Sequence, residues 1–174
     1  MSIYIEISKT GNAILKYPEH GIETKAYIGQ NGITKNKKEG DGKTPIGEFE
    51  LGIMLGMHSI NKLKNKSKPQ YIQINKNMYW VDDPKSKYYN KLVDILKVKK
   101  DWNSAEHLIN YPIQYEYLIE IKINPNNIPG KGSATFLHCT NNKPTKGCIA
   151  IDRKNMKSII KNVDMYTKIN IYKR

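Results

Sequence analysis

One segment of the chain, FLHCTNNKPTKGCIAI (136–151), contains residue types that carry out covalent or metal chemistry. It holds both cysteines of the protein, Cys139 and Cys148, and one of its four histidines, His138. Such a set is typical of three kinds of site: a metal centre, a disulfide, or a thiol nucleophile with an imidazole base. The three differ in the geometry that they require of the surrounding elements.

A zinc centre requires about four ligands at tetrahedral distance, commonly in closely spaced pairs. The histidines outside the segment, His20, His58 and His107, are scattered along the chain. His138 and Cys139 are adjacent, and in a strand adjacent side chains point to opposite faces. The spacing therefore disfavours zinc, and we expect neither a metal nor a cofactor.

A disulfide between Cys139 and Cys148 would close a short loop. It requires the two Cβ atoms to face each other, and the sequence does not show whether they do. For Cys139 the ordinary role is that of a small buried apolar residue, because free cysteine is among the most buried residue types.

The third possibility pairs Cys148 with His138. Acyl transfer by a thiol requires a nearby imidazole and backbone N–H groups aimed at the developing oxyanion. Gly147 has no side chain, so a carbonyl can approach closely, and we expect its N–H and that of Cys148 to form an oxyanion hole. Residues 140–146 have the composition of a turn, and Lys146 is expected to lower the thiol pKa from about 8.5.

The elements that would position this pair are predominantly strands. Ile3, Ile5 and Ile7 alternate with polar residues, which is the pattern of a half-buried strand. Further strands are predicted at 13–17, 23–29, 48–52, 71–74, 78–81, 115–123, 135–139 and 167–172, with a lysine-rich loop at 54–69 and a short helix around 87–96.

One amphipathic helix is predicted near the C-terminal end. Asp152 is a suitable N-cap, and the apolar residues Met156, Ile159, Ile160 and Val163 follow at the i, i+3, i+4, i+7 spacing of a helix face. The sequence therefore predicts a mainly β protein, a single domain over residues 1–174, with one firm helix near its C-terminus.

The tripeptide Gly42-Lys43-Thr44 resembles the end of a phosphate-binding loop, but the preceding sequence does not fit. Such a loop requires glycine at position 37, where this chain has Lys37, and a helix after it, where this chain has Pro45. We interpret the tripeptide as a tight turn before a strand.

The composition restricts the partners without selecting one. A formal charge of +13, from 29 basic against 16 acidic residues, favours a polyanion such as nucleic acid, an anionic membrane or an acidic wall polymer. No run approaches the roughly 20 apolar residues that span a bilayer. The start, MSIYIEISKTGN, lacks the pattern of a signal peptide, so either a leader precedes this sequence or export follows another route.

Two separated segments together resemble the L,D-transpeptidase (YkuD-type) catalytic domain. DGKTPIGEF (41–49) is similar to the family's Thr-Pro-x-Gly-x-Phe signature, and LHCTNNKPTKGCIAI (137–151) is similar to its histidine followed by Ser/Thr-x-Gly-Cys. Their order agrees with the family, and the resemblance covers essentially the whole chain. It implies a single YkuD-like domain built as a mixed-sheet β-sandwich.

The resemblance also implies roles for the residues that match. Cys148 would be the nucleophile, His138 the base, and Gly147 part of the oxyanion hole. Cys139, at the position after the histidine, would orient the imidazole through its backbone, and Thr145 would shape the cysteine loop.

Three departures from the family pattern concern the substrate pocket. The loop between histidine and cysteine is short, Lys146 occupies a position where histidine is common, and Ala150 replaces a frequent arginine or asparagine. We expect Thr145 and Lys146 to contact the substrate. Polar and aromatic residues upstream are candidates for one wall of a groove that binds the stem peptide: Asp82, Asp83, Tyr88, Tyr89, Trp102, Glu106, His107 and Tyr111. Of these, we expect Tyr88 and Trp102 to contact the substrate.

The activity that the resemblance implies is acyl transfer on peptidoglycan stem peptides. Cys148 would form a thioester with the third residue of a donor tetrapeptide and expel D-Ala, and an amine from a second stem would then give a 3-3 cross-link. With water as the acceptor, the site would be an L,D-carboxypeptidase. We expect a monomer that acts in the periplasm or cell wall. There are two rival hypotheses: a non-catalytic module that binds the cell wall, and a nucleic-acid binder, which is favoured by charge alone.

Overall fold

The computed structural model describes residues 1–60 and 68–174. Within these ranges the chain forms fourteen strands, one α-helix and two short 3-10 turns, at Pro18–His20 and Leu108–Asn110. The strands and the helix are β1 (Ser2–Ile7), β2 (Ala13–Tyr17), β3 (Ile22–Tyr27), β4 (Ile33–Thr34), β5 (Thr44–Pro45), β6 (Gly47–Gly56), β7 (Tyr71–Gln73), β8 (Met78–Val81), β9 (Leu92–Asp94), β10 (Ala105–His107), β11 (Tyr117–Ile121), β12 (Phe136–Cys139), β13 (Ile149–Ile151), α1 (Arg153–Asn162) and β14 (Lys168–Lys173).

Nine strands form one mixed sheet in the order β11-β12-β13-β3-β2-β1-β14-β6-β7, and a further pairing of β6 with β11 closes it into a barrel-like sandwich. The long strand β6 makes the closure possible, because its first half pairs with β14 and its second half with β11. Three pairs inside this sheet, β1 with β14, β12 with β13 and β6 with β7, are parallel. The predicted mainly β fold is therefore confirmed.

Alternation along the strands produces the core. In β1 the side chains of Ile3, Ile5 and Ile7 are buried, whereas the residues between them are partly exposed. Because side chains alternate between the faces of a strand, this pattern directs one face of the sheet inwards. The largest apolar cluster joins these residues to the inward faces of the neighbouring strands and to the buried side of α1.

The helix α1 begins as predicted. The carboxylate of Asp152 accepts a hydrogen bond from the backbone N–H of Asn155, which satisfies a donor that has no partner within the helix. Met156, Ile159 and Ile160 are fully buried, and the helix packs against β11 and β12. The helix thereby supports the two strands that lead to the histidine.

Two local predictions differ from the structure. Residues 87–96 form turns and the strand β9 instead of a helix, because Leu92–Asp94 pairs with β8 and Asp94 accepts a turn hydrogen bond from the N–H of Leu96. The loop predicted at 54–69 begins later than expected, since β6 continues to Gly56, and part of it, 61–67, lies outside the described residues. Across the part of the chain that is described, no helix has the length and apolarity to cross a membrane.

Candidate active site

Adjacent parallel strands bring His138 and Cys148 together. His138 lies in β12 opposite Ala150 of β13, and Cys148 immediately precedes β13. Both side chains line one cavity of about 220 Å³. The structure therefore joins two residues that are separated in the sequence by the turn-rich loop 140–146.

The backbone holds the imidazole of His138 in one tautomer. Its Nδ1 atom lies 2.8 Å from the carbonyl oxygen of Cys139, and because a carbonyl only accepts hydrogen bonds, Nδ1 carries the proton. In the neutral ring Nε2 is then the basic atom. Burial lowers the pKa of His138 to about 4, so the ring is neutral at physiological pH.

The thiol of Cys148 is held in its protonated form. Sγ donates to the carbonyl oxygen of Ala134 at 3.2 Å and accepts from the N–H of Phe136 at 3.3 Å. Burial, followed by the charge of Glu106, raises the pKa of Cys148 to about 12. The expectation that nearby lysines lower this pKa is wrong: Lys37 acts in that direction, but desolvation of the thiolate is the larger effect.

A strained backbone segment presents the carbonyl that contacts the thiol. Ala134 has a φ of +48°, a left-handed conformation that residues with a Cβ rarely adopt. Its N–H donates to Oδ1 of the buried Asn90 at 3.2 Å, and the indole N–H of Trp80 donates to the same oxygen at 3.1 Å. No motif in the sequence indicated this support.

The two separated sequence signatures meet behind the cysteine. Thr44, from the first signature, is fully buried, and its hydroxyl accepts the N–H of Gly29 at 2.8 Å and donates to the carbonyl of Gly147 at 2.9 Å. Gly42 adopts a φ of +66° in the tight turn that leads to Thr44. The first signature therefore supports the cysteine loop through the hydrogen bonds of Thr44 and does not itself line the cavity.

The backbone conformation and the close neighbours of Gly147 disfavour a side chain at this position. Its φ is +140°, and a Cβ atom there would lie 2.9 Å from Lys37 Nζ and 3.0 Å from the carbonyl oxygen of Lys43. The N–H of Gly147 donates to Thr145 Oγ1 at 3.1 Å, while the Thr145 hydroxyl donates to the carbonyl of Cys148 at 2.6 Å. Thr145 thus shapes the cysteine loop, and the N–H of Gly147 already has a partner within it.

The two cysteines lie on opposite faces of the sheet. Cys139 is 2% exposed and packs in the largest apolar cluster, whereas Cys148 packs at the edge of a second cluster that borders the cavity. Both thiols are free, so the disulfide alternative does not describe this structure. The backbone of Cys139 nevertheless contacts the site through the carbonyl that holds His138.

Of the predicted substrate-binding residues, the structure brings two to the cavity. Thr145 and Lys146 line it. Tyr88 and Trp102 do not: they form a T-shaped pair with ring centroids 5.9 Å apart and pack with Val81 and Val93 in a separate small cluster. Their aromatic surface is used in packing, so the structure gives no support for their role in binding.

The remaining lining residues come from the cysteine loop and from the segment before β11. They are Glu106, Tyr111, Gln114, Tyr115, Asn141, Lys143 and Pro144. The sequence indicates Glu106 and Tyr111 within a larger polar group, whereas it places Tyr115 only in the predicted strand 115–123. The hydroxyl of Tyr115 donates to Glu106, and its ring lies edge-on to His138 at a centroid distance of 5.7 Å.

Comparison with solved structures finds L,D-transpeptidase 1 of Mycobacterium tuberculosis, with 12% sequence identity and a TM-score of 0.40. The match covers 98% of this chain and 61% of that one, so this chain spans less than two thirds of its length. No curated protein matches the chain.

A family comparison covers nearly the whole sequence. The model of the YkuD family, described as the L,D-transpeptidase catalytic domain, matches residues 2–171. That range includes every strand and helix that contributes to the cavity. The chain therefore belongs to the YkuD family of L,D-transpeptidase catalytic domains.

Proposed function

We propose that this protein is an L,D-transpeptidase that transfers acyl groups between peptidoglycan stem peptides, with Cys148 as the nucleophile and His138 as the general base. One observation carries the proposal. The thiol and an imidazole whose Nδ1 is held by a backbone carbonyl share one cavity on adjacent parallel strands. This arrangement leaves Nε2 as the basic atom, as activation of a thiol requires.

The first half-reaction begins from a neutral pair. As Sγ of Cys148 attacks the carbonyl carbon of the third stem residue, its proton leaves the hydrogen bond to the carbonyl of Ala134 and passes to Nε2 of His138. Because both groups are neutral in the folded protein, we propose that proton transfer accompanies attack instead of preceding it. The resulting imidazolium then donates this proton to the amine of the departing D-Ala, which leaves a thioester on Cys148.

The tetrahedral intermediate of this step carries an oxyanion that requires hydrogen-bond donors. The backbone N–H of Cys148 is the donor that we assign to it. The N–H of Gly147 already donates to Thr145, so its predicted contribution requires that hydrogen bond to be shared or exchanged. The absence of a side chain at Gly147 keeps the loop compact against Lys43.

We also propose that residues 1–174 form one catalytic domain. Support comes from the pairing of β1 with β14, which joins the first and last strands in the same closed sheet. A monomer acting in the periplasm or cell wall is consistent with the proposed substrate. The formal charge of +13 suits a surface that approaches polyanionic wall polymers.

The experiment that tests the function is incubation of the protein with purified tetrapeptide muropeptides, followed by mass spectrometry of products and protein. We expect an acyl adduct on Cys148 and cross-linked dimers that lack one D-Ala. Shortened monomers alone would assign L,D-carboxypeptidase activity. If neither product nor adduct forms while the protein still sediments with isolated wall, a non-catalytic binding module replaces the proposal.

A further inference from the structure

A carboxylate at the cavity has no part in the chemistry proposed above. Glu106, in β10, is partly buried and lines the same cavity as Cys148 and His138. Its Oε2 accepts the hydroxyl hydrogen bond of Tyr115. Tyr115 in turn lies edge-on to His138, so the carboxylate is connected to the base through one aromatic ring.

The second oxygen of this carboxylate is not occupied by a donor from the described part of the protein. Among residues 1–60 and 68–174, no donor reaches Glu106 Oε1, and this atom is not among the fully enclosed polar atoms that lack a partner. Nor does any basic side chain in those ranges form an ion pair with Glu106. A desolvated carboxylate with such an oxygen attracts a cation or a proton.

The charges around the cavity are divided between its walls. The cysteine loop supplies Lys143 and Lys146, both exposed, whereas Glu106 is the one acidic residue that lines the cavity in the described part of the chain. Burial raises the pKa of Glu106 to about 7; the charge of Asp82 acts in the same direction, whereas the Tyr115 hydrogen bond and the charge of Lys146 act against it. A bound cation would stabilise the ionised form that burial disfavours.

We propose that Glu106 binds the ammonium group of the acceptor amine beside the thioester and takes a proton from it. This inference rests on the proposed function and specifies its second half-reaction. An amine acceptor arrives as a cation, whereas water carries no charge. The carboxylate therefore favours amide formation over hydrolysis, that is, transpeptidation over carboxypeptidation.

The second half-reaction removes two protons from the acceptor nitrogen. The bound ammonium loses one proton to Oε1 of Glu106, and its nitrogen lone pair attacks the thioester carbonyl carbon. Collapse of the tetrahedral intermediate breaks the carbon–sulfur bond and releases the Cys148 thiolate. The second proton of the nitrogen passes through Nε2 of His138 to the sulfur. The products are the amide, a neutral thiol and a protonated Glu106, which returns its proton to solvent.

The kinetic test compares the wild type with Glu106→Gln, a substitution that keeps the shape and the acceptor for Tyr115. Each protein receives the tetrapeptide donor with glycinamide, an amine that carries no carboxylate, and both the amide and the hydrolysed product are quantified. We expect the ratio of amide to hydrolysed product to fall by about tenfold or more in Glu106→Gln. An unchanged ratio, including an equal loss of both products, would overturn the inference.

Asp82→Asn is the matched control. Asp82 also carries a negative charge that acts on Glu106, but it accepts a hydrogen bond from Ser104 and does not line the cavity. We expect its product ratio to stay within about twofold of the wild type, because a charge outside the cavity is screened by solvent. A fall as large as that in Glu106→Gln would show a general field effect and not a binding site.

A binding measurement separates this inference from the proposed function. In a Cys148→Ala background, which cannot form a thioester, glycinamide binding is followed by NMR on the Tyr115 and His138 ring signals. We expect Glu106→Gln to weaken this binding by about tenfold. Retention of full binding would contradict the role of Glu106. If the wild type forms no acyl adduct but Glu106→Gln still weakens glycinamide binding, acyl transfer is refuted and the cation site is upheld.

Discussion

Cys139 and Cys148 are both free thiols with raised pKa values, and they differ in their access to the cavity and to a neighbouring base. Burial raises the pKa of Cys139 to about 11 and that of Cys148 to about 12, so neither is activated as a thiolate in the resting protein. Cys139 is enclosed in the core, whereas Cys148 shares a cavity with His138. Access and a neighbouring base, and not an inherently low pKa, distinguish the proposed nucleophile.

The largest expected difference in turnover is between substitutions of the two cysteines. We expect Cys148→Ser to reduce turnover of the tetrapeptide by at least about a thousandfold, because the hydroxyl is a weaker nucleophile with the same base. Cys139→Ala should retain turnover within about threefold. Alanine is the better control at this position, since serine would bury a hydroxyl in an apolar cluster. Mass spectrometry of the released products measures the turnover of both variants; equal turnover in the two would contradict the assignment of Cys148 as the nucleophile.

The same comparison extends to the base. His138→Ala should lower the rate of acyl-enzyme formation by about a hundredfold to ten-thousandfold, the usual contribution of a positioned general base. His138→Gln is a useful second variant, because it keeps a donor for the carbonyl of Cys139 while lacking a base of comparable strength. Rapid-quench mass measurement of the acyl adduct reports this step. An unimpaired His138→Ala protein would place the base elsewhere.

The pH dependence tests whether the pair is neutral. Because the pKa of His138 is lowered to about 4 and that of Cys148 raised to about 12, kcat/KM for the donor should be flat across the neutral range and fall below about pH 5. Glu106 also titrates near neutral pH, so an acid limb near pH 6 to 7 that persists in Glu106→Gln would instead indicate a thiolate–imidazolium pair.

The same His138 shift affects folding. The unfolded chain, with a pKa of 6.5 at this residue, binds a proton that the folded protein does not bind until about pH 4. The contribution of His138 to the free energy of unfolding should therefore decrease as the pH falls from about 6.5 towards 4, whereas Glu106, with its pKa raised to about 7, contributes in the opposite direction. Chemical denaturation of the wild type and of His138→Gln across this range isolates the His138 contribution as the difference between the two proteins.

The smallest expected effect comes from the charge of Glu106, which acts on the pKa of one thiol and not on that of the other. Glu106 contributes to the raised pKa of Cys148 and is not among the causes for Cys139. We expect Glu106→Gln to move the midpoint of Cys148 alkylation to lower pH, by about one pH unit or less, while Cys139 stays unreactive. Alkylation followed by peptide mass spectrometry resolves the two cysteines. Equal shifts at both would indicate a general loosening of the fold.

Much of the framework could be predicted because local patterns carry it. The alternation of Ile3, Ile5 and Ile7 and the spacing after Asp152 reflect the periods of strand and helix, which do not depend on distant contacts. The opposite orientation of His138 and Cys139 follows from the same alternation. The helix predicted at 87–96 was wrong because pairing with β8 outweighs local preference.

The cavity wall could not be predicted in the same way. Tyr88 and Trp102 have the composition of a binding surface, but their positions relative to β12 depend on how the hairpin of β8 and β9 packs. Glu106 was one of several polar candidates, and only its contact with Tyr115 places it beside the base. The support of Ala134 by Asn90 left no trace in the sequence, because it joins segments that are distant along the chain.

The sequence by itself indicated the atoms to which we assign the chemistry: a thiol after glycine and an imidazole ten positions earlier, together with a second signature whose threonine supports the loop. These are matters of residue type and local spacing. The tertiary structure alone decided the protonation states and the walls of the cavity, because desolvation and charge depend on everything that surrounds a group in space. That is why the lysines next to Cys148 in sequence did not lower its pKa, and why Glu106, distant in sequence, raises it.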